Sequence, residues 1–584
     1  MTSICSILFD AATDCPDKSL FVFPETRWNS ADRLTYQELA TRSSAAARVV
    51  SRMARPGDRA LLLFPTGAAF WEAFFGSLTS SVIAVPLKIP NLHRLSEHLE
   101  QVCRDCEPSV LLTNQKTADL LRTVAEIHPA LSRLAVVTPD QWRCETPSSE
   151  VLPTNFHQTA FLQYTSGSTA RPKGVQISHA NLMANMTMIR DRMGIRTGAD
   201  STVSWLPHFH DMGLVGSYLT TLFTRNSCTC FPPEEFALRP ATWLRSISTE
   251  QASICGGPDF AFRLCVDKVS EDEMDAVDLS SWRVAYVGAE RIRSDTIRLF
   301  TERFSAWGFR SNSFFPCYGL GEATLMATGG PTGSGPVIRS VSSEALRANR
   351  IEGAASSRDE QLLVGSGHTF EGSSVLIVDQ QTGAPLPDEA IGEIHLSGDS
   401  ITRGYFRKEE LNQHVFRDVS LHKTSRRFLR TGDLGFLSGG QLFVTGRIKE
   451  LIILRGRNLY PEDVELIVDD AHEALQARGC VAFSVEQEGL ESLIIAVELR
   501  RSAMKNPPQE SIMSAIRLKV AHGFGVNPDK ILLLRPFTIP RTSSGKPRRL
   551  AVRESYLNGT LATLNEAPNS SGSGTDTISG GPIL

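Results

Sequence analysis

Between Tyr164 and Val175 the chain reads Tyr-Thr-Ser-Gly-Ser-Thr-Ala-Arg-Pro-Lys-Gly-Val, with four small hydroxyl residues, two glycines and a lysine in one short polar run. Glycine lets the backbone bend back and approach a ligand closely. Hydroxyls and exposed N–H groups then meet phosphate oxygens, and Lys173 adds positive charge. The spacing is not G-x-x-x-x-G-K-[ST], because the lysine precedes the second glycine and Val175 follows. A P-loop NTPase is therefore disfavoured. Two readings remain, a polar hairpin loop or a different cradle for a nucleoside triphosphate.

Four further polar islands carry candidate chemistry. Tyr318-Gly-Leu-Gly-Glu-Ala-Thr324 joins an aromatic face to a carboxylate, a turn or a place to stack a base and hold a phosphate-bound metal ion. Leu429-Arg-Thr-Gly-Asp-Leu-Gly435 sets Asp433 in an expected tight glycine turn, as an Asx turn or as an acceptor for two ribose hydroxyls. The charged run opening at Gly446-Arg-Ile-Lys-Glu450 suits either an interdomain hinge or a surface cluster. Ile539-Pro-Arg-Thr-Ser-Ser-Gly-Lys-Pro-Arg-Arg549 is a second Gly/Ser loop, in which Lys546 either neutralises a reacting phosphate or belongs to a basic patch. Cys103/Cys106 and Cys228/Cys230 are closely spaced, but no partner cluster completes a metal site, so the 11 cysteines read as reduced structural thiols.

Alternating patterns must position these islands. Residues 34–53 are expected to form an amphipathic helix, with Thr35 as N-cap and Glu38 completing a capping box. Short apolar runs at 59–67, 81–90, 109–113, 134–138 and 159–169 read as strands, with AAFWEAFFGSLTS as a helix between the first two. Such alternation implies βαβ units and a doubly wound, largely parallel sheet, whose ligands sit at the carboxyl ends of strands. The Thr165–Gly174 loop follows an apolar strand and falls at such an end. Residues 329–361, rich in Gly, Ser, Pro and charge, read as a long connection or insertion outside the core. From about 363 to 446 the pattern is β-rich. Beyond Arg447 a small α/β unit follows, with helices expected at 464–475 and around 511–524 and a strand at 493–499. The Ser/Gly-rich tail past about 565 reads as disordered.

At 584 residues the chain exceeds a single core, so at least two domains are expected. A net charge of −4 gives no field to recruit nucleic acid or an anionic membrane. No apolar run is long enough to span a bilayer, and the start lacks the basic n-region of a signal peptide, so a cytoplasmic protein is expected.

Taken in order, these motifs resemble the adenylate-forming superfamily of acyl-CoA synthetases, peptide-synthetase adenylation domains and luciferases, over roughly residues 10–555. The resemblance implies an α/β fold with a large adenylate-forming domain, 1–447, made of doubly wound sheets plus a β-rich subdomain and carrying the insertion near 329–361. It also implies a small mobile α+β domain at 448–564 ahead of the tail at 565–584. By the same resemblance, Thr165, Ser166, Gly167, Ser168, Thr169 and Lys173 would embrace the triphosphate of ATP. Gly288, Ala289 and Glu290 would line the adenine pocket, Tyr318, beside Gly319, would stack the base, Asp433 and Arg447 would bind the ribose, and Glu322 would hold Mg²⁺. Lys449 would be the hinge, and Lys546 would bridge the acyl carboxylate and the α-phosphate. Ala170 departs from the family's usual glycine but is small enough for activity to survive.

Within the superfamily, Trp205-Leu-Pro-His-Phe-His-Asp-Met-Gly-Leu214 looks like the fatty acyl-AMP ligases. Asp211 follows a histidine, which disfavours a simple ammonium clamp for an amino acid. His210, counted with Lys546 and Glu322 as catalytic, is expected to shape the site beside the acyl group. Trp205, Asp211, Met212, Gly257 and Phe260 are the acyl-site candidates, and Trp205, Phe209, Phe260 and Phe262 are equally readable as acyl contacts or as core. The branch implies activation of a fatty acid to acyl-AMP and transfer to a separate acyl carrier protein, or to a polyketide or peptide synthase carrier domain, by a monomeric enzyme. In that branch the insertion disfavours CoA. The alternatives are a fatty acyl-CoA synthetase and a non-catalytic nucleotide- or acyl-binding relative.

Overall fold

The computed structural model describes residues 2–564 apart from 90–96, 126–130, 132, 148–154, 166–171, 422–423, 455–456, 488–489 and 543–544. The chain divides into two compact units, Met1–Ile448 and Lys449–Leu584.

Three large sheets and one two-stranded sheet build the first unit. One runs in the spatial order Ala135–Val137, Val110–Thr113, Arg59–Leu63, Ile83–Pro86, Thr159–Thr165, Lys173–Ser178. Its strands pair in parallel until the last, which returns antiparallel beside Thr159–Thr165. The strands on either side of the polar run, Thr159–Thr165 and Lys173–Ser178, are therefore antiparallel neighbours, while the first still ends at the carboxyl edge of a parallel sheet. The second sheet has eight strands, in the order Met326–Gly329, Phe314–Gly319, Val284–Gly288, Ile254–Pro258, Ser201–Ser204, Ser227–Cys230, Ser19–Phe23, Asp32–Thr35. It is parallel through the middle and antiparallel at both edges. The third, fully antiparallel sheet comprises Ser374–Val378, Gly392–Ser397, Thr424–Ser438, Phe416–Leu421 and Gln441–Arg447.

Helix Tyr36–Met53 begins at the capping box, Thr35 accepting from the Glu38 N–H while Glu38 accepts from the Thr35 N–H. Beside it, helix Ala68–Thr79 is buried on nearly every side and largely apolar, its one charge, Glu72, paired with Arg42 and Arg143. Its Trp71 stacks on Phe21 of the second sheet at 4.6 Å, and its Phe74 meets Phe161 of the first at 5.8 Å. Aromatic pairs at these separations bind the two sheets through one helix.

Three segments depart from their sequence patterns. Residues 329–361 are not an unstructured connection. Strand Ile338–Ser342 pairs with Glu360–Val364, helix Ser343–Arg347 lies between them, and Val341, Ala345 and Leu346 are buried. Asp433 is not in a glycine turn but inside the long strand Thr424–Ser438, whose register shifts between Leu434 and Gly435. Glycines within a strand mark such a bulge. The helix expected over 464–475 is Pro461–Asp469, and Leu475 already belongs to strand Leu475–Gln487, because sheet pairing overrides the helical pattern there.

The second unit is a three-stranded sheet, Leu475–Gln487, Leu490–Leu499 and Lys530–Leu534, with helices Pro461–Asp469, Gln509–Phe524 and Arg549–Leu557. Among the described residues no helix is long and apolar enough to cross a membrane.

Candidate active site

The antiparallel strand pair of the first sheet delivers Lys173 at the start of its returning strand. The Lys173 ammonium lies 5.3 Å from the ring centroid of Tyr405, a cation–π distance. The same ring carries the hydroxyl that donates to Glu322 Oε1 at 2.6 Å. Glu322 sits in the one-turn helix Gly321–Ala323, directly after strand Phe314–Gly319. That turn is sharply folded: a Cβ on Gly319 would stand 1.7 Å from the Leu325 carbonyl oxygen. The Leu320 N–H donates to Leu325 O, and buried Asn185 exchanges hydrogen bonds with Ala323 O and both backbone groups of Met326. Ser166, Gly167, Ser168 and Thr169, with Ala170, lie outside the described residues.

At the other end of this turn the Tyr318 hydroxyl donates to Asp433 Oδ2 at 2.7 Å, while Arg447 Nε stands 2.9 Å from Asp433 Oδ1. Asp433 and Arg447 are direct cross-strand partners, so the antiparallel register itself creates the pair. The carboxylate is buried and the guanidinium half exposed. Burial, with Asp433 beside it, keeps the Tyr318 hydroxyl protonated far above the usual phenol range.

Gly288, Ala289 and Glu290 follow strand Val284–Gly288, with Ala289 in the left-handed region at φ 64°. Glu290 Oε1 accepts from the Phe260 N–H at 2.8 Å. Asp259 next to it accepts from the Arg293 N–H and the Thr296 hydroxyl, both at 2.9 Å. These bonds tie the loop after strand Val284–Gly288 to the start of helix Asp259–Lys268. Burial, then the Glu290 charge, pushes the Asp259 carboxyl up to about 7, although both donors oppose the shift.

The acyl candidates form an aromatic wall. Trp205 stacks on Phe236 at 3.9 Å and 11° and meets half-buried Phe260 edge-on at 5.9 Å, with Gly257 against its ring. Trp205 Nε1 is buried with no hydrogen-bond partner among the described residues. Asp211 caps the π-helix Met212–Leu219, accepting from the Met212 N–H at 2.7 Å, and His210 Nδ1 stands 2.8 Å from the same oxygen. Asp211 is thus engaged by its own neighbours, and π-turns of this kind are rare and concentrate at functional sites. Phe262 is core: it is fully buried against Trp282, Phe300 and Phe314. His208, not singled out by sequence, is buried 4.2 Å from the Phe70 ring, and burial lowers its pKa to about 3, so it is neutral.

In the second unit, Lys546 closes a short loop whose Thr542 N–H donates to Lys546 O at 2.8 Å. Three residues on, Arg549 grips Glu465 with two hydrogen bonds of 2.7 Å and Glu450 with one of 2.6 Å. Glu450 directly follows Lys449.

Residues 8–406 match the family model described as AMP-binding enzyme. The chain belongs to that family. Residues 449–566 match a second model, the Disco-interacting protein 2-like AMP domain. The enzyme is 35% identical to the medium-chain fatty-acid–[acyl-carrier-protein] ligase JamA of Moorena producens, over 93% of each chain. It is 32% identical to a 4-hydroxyphenylalkanoate adenylyltransferase of Mycobacterium tuberculosis, over 97% of this chain and 93% of that one. Among solved structures, one from a study of fatty acyl-adenylate ligases of E. coli and L. pneumophila superimposes with a TM-score of 0.86 at 33% identity, covering 96% of this chain and 98% of its own. Another, the fatty acyl-adenylate ligase of L. pneumophila with acyl adenylate and pyrophosphate, gives 0.72 at 32% identity, covering 95% and 96%.

In the enzyme's large unit, then, Lys173 and Glu322 meet on one tyrosine, and Tyr318, Asp433 and Arg447 meet at a strand pair. Among the described residues no group of three or more His, Cys, Asp or Glu side chains could hold a metal ion. A lone carboxylate fits magnesium, which keeps waters and takes most of its oxygens from substrate phosphates. Tyr405 escaped the sequence reading; its only local signal is an aromatic after a glycine between two β-rich runs.

Proposed function

We propose that the enzyme activates a fatty acid with ATP and passes the acyl group to the phosphopantetheine thiol of a separate acyl carrier protein. A carboxylate oxygen attacks the α-phosphorus, the bond to the bridging oxygen breaks, and pyrophosphate leaves. The thiolate then attacks the acyl carbonyl and AMP departs. The observation that carries this reading is the Trp205–Phe236–Phe260 aromatic wall, tied through the Phe260 N–H to Glu290, in a chain similar along nearly its whole length to a fatty-acid–carrier ligase.

In this reading Lys173 meets the triphosphate with the Thr165–Thr169 loop, Asp433 and Arg447 hold the ribose, and Tyr318 lies against the base. Gly288, Ala289 and Glu290 border the adenine, with Gly319 making room at the turn. Glu322 holds Mg²⁺, which when bound screens the phosphate charge. Lys546 offsets the repulsion between two anionic reactants, and positioning supplies much of the remaining rate. His210 and Asp211 set the mouth of the acyl site, which Met212 and Gly257 line. Residues 1–447 act as the large domain and residues 448–564 as a small one turning about Lys449, ahead of the 565–584 tail, which lies outside the described residues. The 329–361 segment restrains the second half-reaction, keeping CoA out. The enzyme works as a monomer in the cytoplasm.

Incubation with ATP, Mg²⁺ and C8–C18 fatty acids, with CoA or a phosphopantetheinylated carrier, tests the reading. Acyl-AMP that accumulates with CoA and is consumed with the carrier is expected. Rapid stoichiometric acyl-CoA would make the enzyme a CoA synthetase, and absence of acyl-AMP would end the reading. Shortening the 338–361 hairpin should raise acyl-CoA formation; no gain removes that role from it.

A further inference from the structure

The segment Ser400–Lys408 does more than connect sheets. The Thr402 N–H donates to the Glu322 backbone carbonyl at 3.0 Å, and the Thr324 hydroxyl donates to Ser400 O at 2.6 Å. Gln176 N–H donates to Gly404 O and Phe406 N–H to Gly174 O, so the segment also lies against the strand that begins with Lys173. Between these anchors stands Tyr405. Its N–H donates to Asn412 Oδ1 at 2.7 Å, and Asn412 Nδ2 donates back to Tyr405 O at 2.9 Å. Gly404, at φ 128°, is required there, because a Cβ would meet the Asn412 amide at 2.4 Å. The Tyr405 ring is buried and packs on Phe416 at 6.1 Å. Backbone and ring are thus fixed independently of any ligand.

We propose that Tyr405 is a positioning residue for the nucleotide: its hydroxyl orients the Glu322 carboxylate and its ring seats the Lys173 ammonium, so one rigid side chain sets the spacing of both. This rests on the ATP-dependent reading above. The two halves of the side chain separate chemically. A phenol–carboxylate bond is charge-assisted and directional, whereas the ring's attraction for an ammonium needs only the π-face. Phenylalanine at 405 keeps the second and removes the first, and leucine removes both.

Calorimetric titration with ATP, in EDTA and then in excess Mg²⁺, reads the two parts apart. Tyr405→Phe should bind ATP in EDTA within about twofold of wild type but lose about tenfold of the affinity that Mg²⁺ adds, the scale of one charge-assisted bond. Tyr405→Leu should weaken binding about fivefold in EDTA as well, the scale of one solvent-accessible cation–π contact. Glu322→Gln alone should abolish the Mg²⁺ increment, and Tyr405→Phe added to it should change nothing further. A Tyr405→Phe protein with the full wild-type Mg²⁺ increment would overturn the proposal, as would additive losses in the double variant. ATP–pyrophosphate exchange by the wild type, run alongside, keeps the two claims apart. No exchange with any fatty acid defeats the functional reading, while exchange with an unaltered Tyr405→Phe titration defeats this inference alone.

Discussion

Asp433→Asn is the sharpest perturbation of the proposed nucleotide site. The carboxylate is only 4% exposed and already accepts from the buried Tyr318 hydroxyl at 2.7 Å and from Arg447 Nε at 2.9 Å. Arg447 is half in solvent, so its pairing contributes little, on the order of the fractions of a kcal/mol measured for exposed ion pairs. The weight falls on bonds to the ligand. Hydrogen bonds to a charged partner contribute about 1.5–3 kcal/mol each. Asparagine keeps one acceptor oxygen and replaces the other with a donor, so one such bond to a ribose hydroxyl is lost and the rest weakened. The expected cost in ATP binding is about 2–3 kcal/mol, roughly 30- to 150-fold in Kd. Calorimetric titration of both proteins with ATP and with 2′-deoxy-ATP provides the assay. Wild type should prefer ATP about tenfold or more, and Asp433→Asn should show a preference of about twofold or less. If the variant binds both nucleotides more weakly yet keeps the wild-type preference, Asp433 does not touch the ribose and the assignment falls.

Asp259, raised to about 7, holds a proton in the folded state that the unfolded chain releases near pH 4. Its own contribution to stability is therefore fully present below pH 4 and is lost as pH rises from about 4 to about 7, by an amount on the order of a few kcal/mol. Over that range urea midpoints of wild type should fall relative to those of Asp259→Asn; a constant difference between the two proteins would remove Asp259 as the source. Phe260→Ala should raise the KM for fatty acid about tenfold and leave the KM for ATP alone, whereas Phe262→Ala should cost about 3–5 kcal/mol of stability without changing chain-length preference. Steady-state kinetics beside thermal melts tell them apart, and a chain-length shift in Phe262→Ala would contradict its place in the core. Lys546→Ala should slow ATP–pyrophosphate exchange about 10²- to 10³-fold with ATP binding within about threefold; a comparable loss in binding would make Lys546 a nucleotide anchor instead.

What could be read from sequence was what local chemistry encodes. Thr35 and Glu38 announce their helix because both cap bonds close within four residues. Alternating apolar runs announced the parallel strands for the same reason. Asp433 misled because Gly432 and Gly435 mimic a turn while sitting in a bulged strand, and a bulge depends on the partner strand. Residues 329–361 look structureless because their small hairpin buries few side chains and leaves Val337, Ile338 and Leu362 exposed. Tyr405 is the plainest loss. It lies 83 residues from Glu322, and its importance comes from the meeting of two sheets and a turn that no window of sequence contains.

Arg549, at the start of helix Arg549–Leu557, joins the loop that carries Lys546 to the first residues of the small unit, by bonds to Glu450, Glu462 and Glu465 with its guanidinium almost wholly enclosed. A fork with so many charged partners resists bending, because parting any one leaves a charge stranded away from water. Lys449 and Lys546 are therefore fixed ends of one crank. On the proposed reading, in which the small unit turns about Lys449, the arc traced by Lys546 would be set by the length of that crank and not by loop flexibility. Evolution or design can then retime the stroke by altering Arg549 and its three glutamates while leaving both lysines as they are.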